Sequence, residues 1–385
     1  MNKLNITFYT DSFLPAMDGV VTSIKNSAAE LERRGHNVYI FAASNISKYE
    51  IGKEGFNADH VFPIHGVKFR KYPQYSIPIY PNFKQLKFLK ETDIVHAHTP
   101  LFMGLYALML AKGNRLPIVG TFHTLINDNK AMEAYISSKM IKKLAKRYSW
   151  AYLRFFYNSC NAVIAPSAPI KQLLEKKGIT NVHDVANGID MKKFNSNVNG
   201  KKERESLLGG NFEKIILYIG RISKEKRLEV LLKVAKRTKD KRLLFAIGGA
   251  GPALKYYQAL AKKYMLNNVK FLGFIENEML PKYYKASDVF CIPSTFETQG
   301  MVALEAMAVG KPVVGADKLA LSNLIENGKN GEKFKPNDFI ECERKIEKVI
   351  NNIANYNQMV ETAKFYSIEK TVDRLLNIYN NLLSQ

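Results

Sequence analysis

Two carboxylates eight positions apart, Glu297 and Glu305, stand in the segment DVFCIPSTFETQGMVALEAMAVGKPVVGAD, residues 288–317. They are close enough in sequence to share one small ligand. The amides around Gln299, Gly300 and Met301 open a helix, and a helix N-terminus favours an anion. Two acids beside an anion site fit a ligand that is part sugar and part phosphate. Taken singly, each glutamate would read as an exposed loop or surface-helix side chain. A second group lies in Gly220-Arg221-Ile-Ser-Lys224-Glu225-Lys226-Arg227. Arg221 can grip phosphate oxygens in a bidentate way, and Lys226 adds a point charge. A basic helix start opposes the helix dipole and so needs an anion. The third candidate is His123, in Thr121-Phe-His123-Thr124. A lone histidine is more often structural, but this one sits at the carboxyl end of a predicted strand, where open α/β sheets bind ligands. His98, in His98-Thr-Pro, ranks behind it.

The elements around these residues alternate in the manner of a parallel α/β fold. The run 4–9 predicts a strand, 10–19 a loop and 20–34 a helix with Val21, Ile24, Ala28 and Leu31 on one face. Residues 38–42 form the next strand, so the chain opens as the first half of a Rossmann-like domain. Strands are also expected at 93–98, 117–120, 163–167, 214–219, 243–248, 269–274 and 289–292. Amphipathic helices are expected at 339–355 and 368–383. The polar stretch SNVNGKKERESLLGGN, within 195–211, reads as a linker. The expected domains are 1–194, joined by a C-terminal helix at about 368–385, and 212–367.

The wording of Glu297-Thr-Gln-Gly300 followed by Leu304-Glu305-Ala-Met307 resembles the E-x7-E signature of retaining family 4 glycosyltransferases. These have the α/β fold called GT-B, two Rossmann-like domains facing across a cleft. Further elements fall in the same order. They are D-x-F-x-P…G-V-V-x-S-I from Asp11, T-x-H-T at His123, N-G-[VI]-D-x-x-x-F from Asn187, G-R-x-x-x-E-K from Gly220 and G-G-A-G-P from Gly248. The resemblance covers essentially the whole chain. It implies that Arg221 and Lys226 hold the donor diphosphate and stabilise it as it leaves. It further implies that Glu305 binds the ribose hydroxyls and that Glu297 binds the sugar near its anomeric centre. His123 would lie against the transferred sugar, and Gln299, Gly300 and Met301 would serve the donor. Gly19 would let the diphosphate approach the backbone, although many relatives carry two glycines where this chain has Asp18-Gly19. Residues after 269–274 would bracket the nucleobase. Reaction on one face and double displacement through Glu297 both stay open. No tightly bound cofactor and no metal site is implied; a divalent cation would act as a stimulator. The details Thr10-Asp-Ser-Phe-Leu-Pro15, Asp18-Gly-Val-Val21 and Ala316-Asp-Lys-Leu-Ala320 resemble diacylglycerol glucosyltransferases of low-GC bacteria. That branch implies UDP-glucose as donor, 1,2-diacylglycerol as acceptor and an α-glycosyl glycolipid as product. A soluble or other cell-envelope acceptor is the alternative.

At 385 residues, with 46% hydrophobic and 24% charged residues, the chain suits two folded domains. The charge is +22, from 57 basic and 35 acidic residues, which favours polyanions. A nucleic-acid binder would interleave aromatic and basic residues on a recognised module. None is seen, so nucleic acid is not an expected partner. A genome bias towards lysine and asparagine would spread the charge evenly, but the helical stretch 138–157 clusters it. Lys139, Lys142, Lys143, Lys146, Arg147 and Arg154 fall on one side with Trp150 among them. Met140, Ile141, Leu144, Tyr148, Ala151, Tyr152 and Phe155 take the other side, expected to face the core. Cations around a tryptophan suit the headgroup plane of an anionic bilayer. Three cysteines without metal spacing, no signal-peptide layout and no apolar run of membrane-spanning length point to the cytoplasm. The expected location is therefore peripheral, on the inner face of the cell membrane.

Overall fold

The computed structural model describes residues 3–16, 18–69, 72–78, 88–123 and 139–384; for 68–69, 72–75 and 139–147 the backbone alone is described. The chain divides into two compact units. The first holds the residues up to Gly188 together with those from Ile368 on, and the second is Ile189–Ser367.

The first unit is built on a seven-stranded parallel sheet of order β3-β2-β1-β6-β7-β8-β9. Its strands are β1 (Asn5–Thr10), β2 (Asn37–Ala43), β3 (Val61–Ile64), β6 (Ile94–Ala97), β7 (Ile118–Thr121), β8 (Ala162–Ala165) and β9 (Val182–Asp184). A hairpin of β4 (Gly66–Phe69) and β5 (Tyr72–Pro78) lies outside that sheet. The near-continuous apolar strands are those of a sheet covered on both faces. Helix α1 (Gly19–Arg33) buries Val20, Val21, Ile24, Ala28 and Leu31 against it, as the 3.6-residue period requires. Helix α2 is Lys48–Lys53, α3 is Phe102–Gly113, α4 is Lys139–Asn158 and α5 is Ala168–Lys176. The last helix of the chain, Ile368–Leu383, packs Val372, Leu375, Leu376 and Tyr379 into this same core. Arg34 at the end of α1 fastens it through Asp373 at 2.5 Å.

The second unit has a six-stranded parallel sheet of order β12-β11-β10-β13-β14-β15. Its elements in chain order are α6 (Lys201–Leu208), β10 (Lys214–Ile219), a 3-10 turn (Lys224–Lys226), α7 (Leu228–Arg237), β11 (Leu243–Gly248), α8 (Leu254–Lys263) and β12 (Val269–Gly273). Then come α9 (Leu280–Ala286), β13 (Val289–Ile292), α10 (Met301–Ala308), β14 (Val313–Ala316), α11 (Ala320–Leu324), β15 (Gly331–Phe334), α12 (Phe339–Asn351) and α13 (Met359–Phe365), leaving α14 for the returning helix 368–383.

Two expectations need correction. The stretch 195–211 is not a linker, because it carries α6 and belongs to the second unit. Arg204 of α6 reaches Asp288 Oδ2 and the Ala286 carbonyl, each at 2.8 Å. A Cβ on Gly200 would stand 2.5 Å from the Lys282 carbonyl, so that residue packs directly on α9. The division falls instead at 188/189 and 367/368. The buried face of α4 also differs. Leu153, Phe156 and Tyr157 are buried, whereas Tyr148 and Phe155 are 65% and 62% exposed and Ala151 is exposed. The sheet claims the 153/156/157 side, where Tyr157 packs over Gly120 of β7, and this turns the predicted core face to the surface. Met140, Ile141 and Leu144 lie outside the residues whose side chains are described.

Candidate active site

Each sheet has one point where the strand order reverses, between β1 and β6 in the first unit and between β10 and β13 in the second. Crevices outside the carboxyl ends of strands at such points are where open α/β sheets take ligands. The predicted site residues gather at these two places.

In the second unit, β10 runs into Gly220-Arg221 and β13 runs into the loop carrying Glu297. Lys226, in the 3-10 turn, donates a 2.7 Å hydrogen bond to Glu297 Oε1. Glu297 is only 9% exposed, so this ammonium is its principal compensation for lost hydration. The Arg221 side chain is exposed, while its backbone carbonyl accepts from Tyr218 Oη at 3.1 Å. Burial beside Glu297 holds the Tyr218 hydroxyl well above its ordinary range, so it remains a proton donor. The glycine turn after β11 locks the rim: a Cβ on Gly249, at φ +130°, would fall 1.9 Å from the Gly220 carbonyl. Only glycine allows that approach.

Gln299 is buried, and Gly300 precedes Met301 at the first turn of α10. Glu305, half-buried on the next turn, accepts from Tyr284 Oη at 2.7 Å. Burial raises its carboxyl to about 7, against the lowering effects of that hydrogen bond and of Lys193. Tyr284 was missed in the sequence reading; nothing in Tyr283-Tyr284 marks one ring as the partner of a site carboxylate.

In the first unit the switch point is lined by histidines. His96 is buried, with Nδ1 2.6 Å from Tyr379 Oη and Nε2 2.6 Å from Thr121 Oγ1. His98 stacks on it at 4.2 Å, and its Nδ1 is 3.1 Å from His123 Nε2. Burial pushes His96 down to about 3 and His123 to about 4, with Asp18 pulling His123 the other way, so these rings are neutral at pH 7. Asp11 closes the other side of the switch point, accepting from Thr99 Oγ1 at 2.5 Å and from the Met103 amide at 2.9 Å. The amides expected to meet a diphosphate near Gly19 are engaged already. Asp18 Oδ1 accepts from Val20 and Val21 at 2.9 and 3.1 Å, while the space where a Gly19 Cβ would stand is open. An Asp before the helix start was the available signal for this cap.

Of the basic helix residues, Arg154 is exposed, and Trp150 is part-buried with Lys177 Nζ 5.4 Å from its ring centroid. Lys139, Lys142, Lys143, Lys146 and Arg147 lie outside the residues whose side chains are described, as Thr124 lies outside the described residues altogether. Among the described residues no group of His, Cys, Asp or Glu could hold a metal ion, and no helix is long and apolar enough to cross a membrane.

Comparison with known proteins agrees with this arrangement. A family model for Glycosyltransferase Family 4 matches residues 17–193, and one for Glycosyl transferases group 1 matches 199–365. The alpha-monoglucosyldiacylglycerol synthase of Streptococcus pneumoniae is 30% identical over 339 residues, 84% of this chain and 74% of its own. The enzyme of that name from Acholeplasma laidlawii is 28% identical over 353 residues, 87% and 86% of the two chains. The crystal structure of Anabaena HepE in complex with UDP-glucose superposes with a TM-score of 0.75 at 19% identity, covering 98% of this chain and 100% of that one. The chain belongs to the family 4 glycosyltransferases, with the GT-B pair of Rossmann-like units, and is an enzyme of sugar transfer.

Proposed function

We propose that the enzyme transfers glucose from UDP-glucose to 1,2-diacylglycerol, with retention, at the inner face of an anionic membrane. The observation that carries the donor half is the Lys226–Glu297 pair at the switch point, beside an exposed Arg221. Lys226 and Arg221 hold the diphosphate and stabilise the charge that develops as it leaves. Glu297 orients Lys226 and meets the sugar, Glu305 takes the ribose hydroxyls, and His123 contacts the hexose. Gly19, Gln299, Gly300 and Met301 complete the donor contacts. The UDP-glucose complex of the Anabaena neighbour supports that donor, and the names of the two synthases support the lipid acceptor.

The membrane half rests on the cations of α4 together with an exposed apolar face that the charge pattern did not point to. Tyr152 Oη bonds the Pro100 carbonyl and Phe156 closes on Gly104, so α4 touches the start of α3. Their outer faces expose Leu101, Phe102, Leu105 and Met109 on one side and Tyr148 and Phe155 on the other. Exposed Lys112, Arg115 and Arg154 flank them. Burying one such large side chain in lipid is worth about 1.5–3 kcal/mol, and each nearby cation adds roughly 1 kcal/mol on an anionic leaflet. Trp150, part-buried under Lys177, remains the proposed anchor at headgroup depth.

The test is a panel of nucleotide sugars assayed against diacylglycerol in mixed micelles and in vesicles. Highest activity with UDP-glucose and diacylglycerol is expected. Preference for a water-soluble acceptor would overturn the acceptor half. Tyr148→Ser with Phe155→Ser, or Lys143, Arg147 and Arg154 all changed to Glu, should each abolish flotation with anionic vesicles while UDP still binds. Equal activity on neutral and anionic vesicles would remove the membrane half.

A further inference from the structure

We propose that His98 is a positioning residue for His123: it donates from its Nδ1 and thereby confines the proton of His123 to Nδ1. The two rings lie in nearly parallel planes, 15° apart, with His98 Nδ1 and His123 Nε2 separated by 3.1 Å. One of these nitrogens carries the shared proton and the other is bare. Burial keeps both rings neutral, so neither can donate from both nitrogens.

The far side of His98 decides which. Its Nε2 is buried and has no hydrogen-bond partner among the described residues. A buried N–H without an acceptor is the rarer and costlier state, whereas a bare acceptor is tolerated more readily. The proton of His98 therefore sits on Nδ1, and His123 Nε2 accepts it. His123 keeps its own proton on the remaining nitrogen, since the bond made by one ring nitrogen sets the state of the other.

The ring of His98 is not free to flip and reverse this. Phe8 packs against it at 4.6 Å, and His96 stacks on its face at 4.2 Å. His96 is itself tied at both nitrogens, to Thr121 and Tyr379. Among the described residues, the titratable groups facing the pair are His96 and, towards His123, Asp18. The consequence for transfer rests on the reading of His123 as a sugar contact: its Nδ1 is then a donor of fixed sense, not an acceptor.

The tautomer can be read from imidazole 15N shifts of the labelled full-length protein at pH 7, with no variant needed. A protonated Nδ1 and bare Nε2 on His123 are expected. His98→Phe should let the His123 proton move to Nε2 and lower turnover about tenfold, the size of one ordinary hydrogen bond, with the donor KM little changed. His98→Asn places an N–H where Nδ1–H stood and should restore both the shifts and the rate. Wild-type His123 protonated on Nε2 overturns the proposal, and so do unchanged His123 shifts in His98→Phe. If His123→Ala keeps full activity while the wild-type shifts are as stated, the sugar-contact reading fails and the positioning stands.

Discussion

Lys226 Nζ and Glu297 Oε1 meet at 2.7 Å, joining the ends of two strands that flank the switch point of the second sheet. The cation assigned to phosphate and the carboxylate assigned to sugar are thus one electrostatic unit, and each sets the position of the other. Lys226→Ala and Glu297→Ala should each lower turnover by at least ~100-fold with cooperative unfolding retained. The double variant should be about as slow as the worse single one, because groups acting together lose their effect together. Additive losses would show that the two act separately.

Glu305 should trade stability for function. Its carboxyl sits at about 7 in the folded chain against an ordinary 4.5, so the folded state binds this proton more tightly than the unfolded state. Stability from this group is present below pH 4.5 and is lost as pH rises through 7. Glu305→Gln should therefore stabilise the protein at pH 8, on the order of 1–3 kcal/mol, and leave it unchanged near pH 4. Urea unfolding at both pH values checks this; an equal gain at each would point to packing instead. The same variant should bind UDP more weakly.

The buried histidines shift stability in the opposite sense. With His96 near 3 and His123 near 4, the unfolded chain gains protons first as pH falls below 6.5. Their contribution is whole above 6.5 and is lost progressively down to about 4 for His123 and about 3 for His96. Ring proton resonances of His96 and His123 that do not titrate between pH 8 and 5.5 would accord with this. Midpoints near 6.5 would contradict it.

Gly249→Ala should act on a residue it does not replace. The new methyl would collide with the Gly220 carbonyl at 1.9 Å, at a φ that side chains disfavour, and so displace the backbone that presents Arg221. We expect a stability loss of roughly 2 kcal/mol or more and at least tenfold weaker UDP binding by calorimetry. Unchanged UDP affinity would separate this turn from the donor site.

The sequence made the strand ends legible because parallel strands are short apolar runs and their loops hold the polar residues. Val289–Ile292 and Lys214–Ile219 match prediction to the residue. The segment 195–211 misled because its polarity is that of a surface helix held by Arg204, Gly200 and a single buried leucine, Leu207, too few apolar positions to show a period. Helix α4 misled because one 3.6-residue period cannot tell the side that meets the sheet from the side that meets solvent when both carry aromatic rings. The Lys226–Glu297 pair was legible as two motifs but not as a bond, since only the sheet order brings positions 71 apart together. The histidine stack depended in the same way on β6 and β7 being neighbours.

The returning helix bears on how the protein is made. During synthesis the second unit is one unbroken stretch, so it can close as soon as it leaves the ribosome. The first unit, though begun earlier, must wait for Ile368–Leu383 to supply Val372, Leu375 and Tyr379. Until then the pocket for that helix stays open, and His96 lacks the hydroxyl that holds it beside His98. A nascent chain stopped short of residue 368 would carry a finished second unit and an unfinished first one, with apolar surface left open to chaperones and to aggregation.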